Sequence, residues 1–165
     1  GCTKEEYYQS TDISKYEEYI SVVTREKDYG FFPDLDTIDN TNSIRIKYIE
    51  RTGFLVRSKS FMLLITIPEN EYFSLRDEYL AKYEYFNELI LDSDNDPIIS
   101  NNEFDYGAYT FYVVKNDDFD YPKNFGIIGY SDEKREVILL FFADSSIDYI
   151  NDMPHFMETN FIFEE

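Results

Sequence analysis

The 165-residue chain has one cysteine, one histidine and no tryptophan. A single cysteine excludes a disulfide within the chain and any cysteine-rich zinc site. A single histidine excludes a histidine-rich metal centre. Glycine and proline are scarce, at six and five, and they form no Pro- or Ser-rich linker. No run of 18 apolar residues occurs, so no segment reads as a spanning helix. Cations are the deepest shortage: 15 Lys+Arg stand against 34 Asp+Glu, a net charge of −19. Nucleic-acid affinity comes mostly from neutralising phosphates, so this balance argues against a DNA- or RNA-binding role. It argues equally against an electrostatic hold of the whole chain on an anionic bilayer. There is no internal repeat, dinucleotide fingerprint, phosphate loop or H-E-x-x-H motif.

Apolar residues are 43% of the chain and aromatics 19%, with 16 Tyr and 15 Phe. That is too apolar for a disordered tail. A chain of this length buries roughly 68–70% of its unfolded surface and folds without staples. The spacing of Ile13, Tyr16, Ile20 and Val23 predicts a helix over about 12–27. Residues 43–51 alternate, with Ile44, Ile46 and Tyr48 on one face and Arg45, Lys47 and Ile49 on the other, as in a half-buried strand. Thr52-Gly53 reads as a turn. A second strand follows within 54–67, and its Phe61–Ile65 run, apolar on both faces, marks it as central. Pro68 and the acids after it start a helix over about 69–90, carrying the aromatic row Tyr79, Tyr83, Tyr85 and Phe86. Three more strands are expected at about 107–115, 125–130 and 135–143, then a short helix from Asp144 to about 152 and an edge strand at Phe161–Phe163. The expected fold is α+β, a mostly antiparallel sheet of about five strands with helices packed on one face, in the order α-ββ-α-βββ-α. Residues 1–11 read as a polar tether and 12–165 as a single globular domain.

Charge is uneven along the chain. Residues 1–91 hold 17 acids and 11 bases, net −6, whereas residues 92–165 hold 17 acids and 4 bases, net −13. The sharpest local pattern lies in the second half. Asp92, Asp94, Asp96, Ser100 and Glu103 fall at positions 1, 3, 5, 9 and 12 of a loop that resembles the EF-hand type, the oxygen-rich arrangement that Ca²⁺ requires. Pro97 stands where that loop needs glycine, and no helix pattern follows Glu103. Asp144, Asp148 and Asp152 share a four-residue spacing, which reads as a cap and an exposed helix face. His155 has Ser145 and Ser146 upstream but no nucleophile motif, so no catalytic residue is assigned. Gly126 and Gly129 sit in a strand and mark close packing or a bulge. The aromatics read first as core.

The chain opens Gly1-Cys2-Thr3-Lys4, which resembles the cut end of a bacterial lipoprotein, in which the cysteine carries the lipid. Phe31-Phe32-Pro33-Asp34-Leu35, then a strand, then Phe61-Met62-Leu63-Leu64 leading to a Pro-started helix, is similar to uncharacterised lipoproteins of low-GC Gram-positive bacteria. The resemblance covers about residues 30–85. It implies lipid attachment at Cys2 and a place on the extracytoplasmic face of the cell membrane, and it implies no chemistry. The expectation is therefore a membrane-anchored, acidic, non-enzymatic binding or interaction domain. Its ligand would be an unknown protein, peptide or glycan and not a nucleic acid, and it would need no cofactor. The alternative is a calcium-binding module using residues 92–103, and the third is a carboxylate-dependent hydrolase.

Overall fold

The computed structural model describes residues 6–27 and 29–163. Eight strands form one antiparallel sheet: β1 (Glu6–Ser10), β2 (Ser43–Thr52), β3 (Arg57–Thr66), β4 (Glu84–Tyr85), β5 (Glu103–Tyr106), β6 (Tyr109–Lys115), β7 (Asn124–Ser131) and β8 (Glu136–Ala143). Their order across the sheet is β1-β2-β3-β8-β7-β6-β4, and β5 also lies on β6. Among the described residues, three short α-helices complete it: α1 (Tyr16–Val23), α2 (Tyr72–Ala81) and α3 (Met153–Phe161).

β3 and β8 sit mid-sheet, and all eight residues of β8 are buried. The Val137–Phe142 run has no polar residue to place in water, so it is stable only where both faces are covered. Alternation along each strand then defines two faces. Tyr48, Phe61 and Phe141 lie in register on one of them. α1 packs there, with Tyr16 edge-on to Phe61 and Tyr19 stacked on Tyr48. So do Phe31 and Phe32 of the 30–35 loop, whose rings meet Phe141 and Phe61. α2 joins them, with Arg76 over the Tyr130 ring. This is the aromatic face. Phe125 and Phe142 point the other way, against Phe156 of α3.

The expectation of about five strands with helices on one face is overturned. The sheet is broader, and helices cover both faces. Two of the additional strands are short edge pieces that periodicity does not reveal: β4 pairs with Val114 and Lys115, and β5 with Tyr109–Tyr112. β1 lies inside the stretch expected as a tether and pairs with Tyr48–Thr52.

The helices are also shorter or displaced. α1 stops at Val23 because Arg25 and Glu26 both turn left-handed, with φ of 56° and 63°. α2 ends at Ala81 rather than near residue 90. The Tyr83 and Tyr85 hydroxyls donate to the Phe31 and Leu80 carbonyls, both at 2.6 Å, so tertiary packing outweighs helical propensity there. The helix expected over 144–152 is a turn region. The Asp152 carboxylate instead accepts from the His155 backbone N–H at 3.0 Å and caps α3, with Pro154 in the first turn. The expected edge strand at 161–163 is the end of α3 and its cap.

Candidate functional site

α3 covers only part of its face of the sheet. It lies over the end of the sheet where β2 turns into β3, and its Asn160 Oδ1 accepts from Arg51 at 2.9 Å. Toward the opposite end the sheet stays open as a groove of about 780 Å³. A second hollow of about 610 Å³ adjoins it and shares Tyr109, Lys134 and Phe163.

The groove is built from strand alternation. Arg45 and Lys47 of β2 project from the same face as Met62 and Leu64 of β3 and Glu136 of β8. Met62, Leu64 and Phe163 supply an apolar floor. Three cations, Arg45, Lys47 and Lys134, line it against one carboxylate, Glu136, a local balance of 3 − 1 = +2 in a chain of net −19. The Glu136 side chain is 8% exposed and the Arg45 side chain 62%. One Glu136 oxygen accepts from the Tyr109 hydroxyl at 3.0 Å and faces the Arg45 guanidinium at 3.4 Å. Burial pushes the Tyr109 hydroxyl well above its ordinary titration range, and the Glu136 charge adds to it. Tyr109 therefore stays a neutral donor. The Lys134 ammonium sits 5.5 Å from the centre of the Tyr109 ring. Lys47 donates to the Ile162 carbonyl, which matches a cation to the negative end of α3. Ile162 is held at φ +47°, a strained conformation for a β-branched residue. The far hollow changes sign, with Glu133 and Glu158 on its wall. Chemically, the groove offers cations over an apolar floor, which suits an anionic group on an apolar body, while the Tyr109 hydroxyl is spent on Glu136.

Sequence reasoning missed this site. The signal was nevertheless present, as two cations at alternate positions of β2, facing the same way as Ile49. Another was Glu136, the only acid opening a strand that is otherwise apolar.

The residues singled out from sequence lie elsewhere. Cys2 is outside the described residues. In the 92–103 loop, one Asp92 oxygen accepts from the backbone N–H groups of Asp94 and Asp96 at 2.8 and 2.9 Å, and the other accepts from the Tyr149 hydroxyl at 2.7 Å. The Tyr149 bond, helped by those backbone donors, holds the Asp92 carboxyl below the usual carboxylate range. Asp94 and Asp96 are exposed, and Glu103 stands in β5 opposite Tyr112. The Ser100 hydroxyl oxygen is buried without a hydrogen-bond partner. Among the described residues, no three His, Cys, Asp or Glu side chains gather closely enough to hold a metal ion. Asp144 accepts from Ser146, Asp148 pairs with Lys123, and Asp152 caps α3. His155 is exposed at the start of α3. A Cβ on Gly126 would come within 2.6 Å of the Phe31 ring, so this glycine marks the close packing expected of it. No helix among the described residues is long and apolar enough to cross a membrane. No protein-family model matches the chain, and no curated protein or solved structure matches it.

Proposed function

We propose that this chain is a non-enzymatic binding domain, tethered through Cys2 to the extracytoplasmic face of a bacterial membrane, and that the groove beside α3 takes its ligand. The observation that carries the binding half is the gathering of Arg45, Lys47 and Lys134 over an apolar floor in a chain so poor in cations. The ligand carries an anionic group, a carboxylate or its like, and an apolar body. A cation holds such a group by a charge-assisted bond, and the floor holds the rest by burial. The Gly1-Cys2 start supports the address, as the resemblance to lipoproteins does.

Three probes with the same tail test the site: octanoate, octylamine and octyl glucoside, each titrated by NMR. Octanoate shifts the Arg45, Lys47 and Lys134 resonances, and the other two do so weakly or not at all. Lys134→Ala weakens octanoate by about tenfold, the value of one charge-assisted contact. Equal responses to all three heads, or shifts outside the groove, would overturn the assignment.

A further inference from the structure

The most exposed large apolar side chains of the described chain are two neighbours, Phe54 and Leu55, at 79% and 76%. They sit at the tip of the β2–β3 hairpin, where Gly53 N–H donates to the Val56 carbonyl at 2.9 Å. Among the described residues, none covers these two side chains. A hairpin tip is ordinarily polar, and leaving two such side chains in water gives up the stabilisation that burial brings.

Three further features gather at this end. The first is charge. Residues 50–59 hold Arg51, Arg57 and Lys59 against Glu50, and with Glu6 opposite Thr52 the balance is 3 − 2 = +1 in a chain of net −19. Arg57 and Lys59 are exposed. The second is aromatic character: Tyr7 and Tyr8 of β1 are each 49% exposed, and the Arg51 guanidinium lies 5.7 Å from the Tyr7 ring centre. Tyrosine, arginine and exposed Phe/Leu together are the composition of a membrane interface. The third is register. β1 runs antiparallel to β2 with Glu6 opposite Thr52, so the chain enters the fold beside the tip. Cys2 lies four residues before Glu6, a reach of at most roughly 13–14 Å even for an extended chain.

We infer that the Phe54-Leu55 tip docks into the lipid bilayer to which Cys2 is attached, making a second, non-covalent foot beside the covalent one. This rests on the lipid-anchor reading proposed above. A lipid on Cys2 holds the tip at the bilayer surface, so a small patch need not find the membrane alone. The net charge of the whole chain opposes approach to anionic lipid, and the local cations of the hairpin offset it where contact is made. The geometry also orients the molecule. Arg45 lies seven residues along β2 from Thr52, roughly 23 Å at the strand rise. With the tip in the membrane, the groove faces away from it, open to ligand.

The sequence provides its own test. It has no tryptophan and only one cysteine. The protein is coupled through Cys2 to maleimide-lipid in vesicles of equimolar phosphatidylcholine and phosphatidylglycerol, which supplies the tether whatever the native modification. Phe54→Trp places one indole at the tip. Phe73→Trp places one on α2, where Phe73 is 59% exposed toward the other end of the sheet. On coupling, the Phe54→Trp emission shifts to the blue and brominated acyl chains quench it, as for a side chain roughly 5–10 Å deep in the interface. The Phe73→Trp emission does neither. An unshifted, unquenched Phe54→Trp, or equal behaviour at both sites, overturns the inference. So does a blue shift already present in solution that grows with protein concentration, which would show the tip meeting a second copy. The anchor itself is read separately. Labelled palmitate is incorporated when the full gene is expressed in a Gram-positive host, and Cys2→Ser abolishes the label. Loss of that result removes the address without touching the vesicle measurement, so the two failures are distinguishable.

Discussion

The two faces of the sheet are built from the same strands and finished differently. On the aromatic face, α1, α2 and the Phe31-Phe32 loop close over Phe61 and Phe141, and the rings meet edge to face at centroid distances of 5.2–5.8 Å. On the opposite face, α3 closes one end and leaves Arg45, Leu64 and Lys134 lining a groove. Stability is concentrated where covering is complete, and an open, cation-lined surface is left where it stops. A folded domain must bury one sheet face thoroughly to overcome chain entropy, and it need not bury both to the same degree.

The strongest way to break this contrast is to truncate one side chain on each face. Phe141 is fully buried and touches Tyr29, Phe31, Phe32 and Phe119. Phe141→Ala is expected to cost about 3–5 kcal/mol in urea unfolding. Leu64 is only half-buried in the groove floor, and Leu64→Ala is expected to cost about 1 kcal/mol. Equal losses would mean that the groove floor is as tightly packed as the aromatic face.

A pH titration sharpens the contrast. Burial, first among the causes, raises the titration of Tyr16 and Tyr83 on the aromatic face above the ordinary tyrosine value and pushes Tyr85 up to about 12. Their folded values exceed the unfolded value near 10. The stability they contribute is therefore complete below about pH 10 and is lost as pH rises through the folded values, because the unfolded chain releases those protons first. Melting temperature is expected to fall steadily above about pH 10. Tyr109→Phe, on the groove face, should leave most of that fall in place. If it abolished the fall, the groove and not the aromatic face would control the alkaline limit.

Strand patterning was largely legible from sequence, and its boundaries and neighbours were not. β2, β3, β6, β7 and β8 fall where alternation or continuous apolar runs place them, because a residue's face is a local property. β4 and β5 take their form from β6, so nothing in their own residues announces them. The row Tyr79 to Phe86 has helical spacing, yet Tyr83 and Tyr85 turn into the core to reach backbone carbonyls. Phe54 and Leu55 read as the start of a strand and lie in the turn before it. The groove was hidden for a simpler reason. A cluster made by β2, β6, β8 and the tail has no spacing in one dimension. The acidic loop had a conspicuous spacing, but its side chains make bonds that spacing does not show.

That loop extends the contrast between covered and open to polar groups. In the groove, Arg45 remains mostly in solvent and within reach of a ligand. In the loop, both Asp92 oxygens already accept hydrogen bonds from Asp94, Asp96 and Tyr149. A calcium ion seated on Asp92 would have to compete with those donors, so titration of Ca²⁺ by calorimetry is expected to give no heat. The smallest predicted effect probes the same bonds. The folded Asp92 value lies below the unfolded one, so its contribution is present above about pH 4 and is lost as pH falls through the folded value. Tyr149→Phe removes the largest cause of that depression and is expected to move Asp92 back toward the ordinary carboxylate range, as read by ¹³C NMR of the carboxyl carbon. Melting temperature should change little, because the side chain is exposed and solvent screens what it gains. If Asp92 did not move, its depression would come from the backbone donors alone. The loop would then hold its shape without Tyr149, leaving one Asp92 oxygen open to a cation.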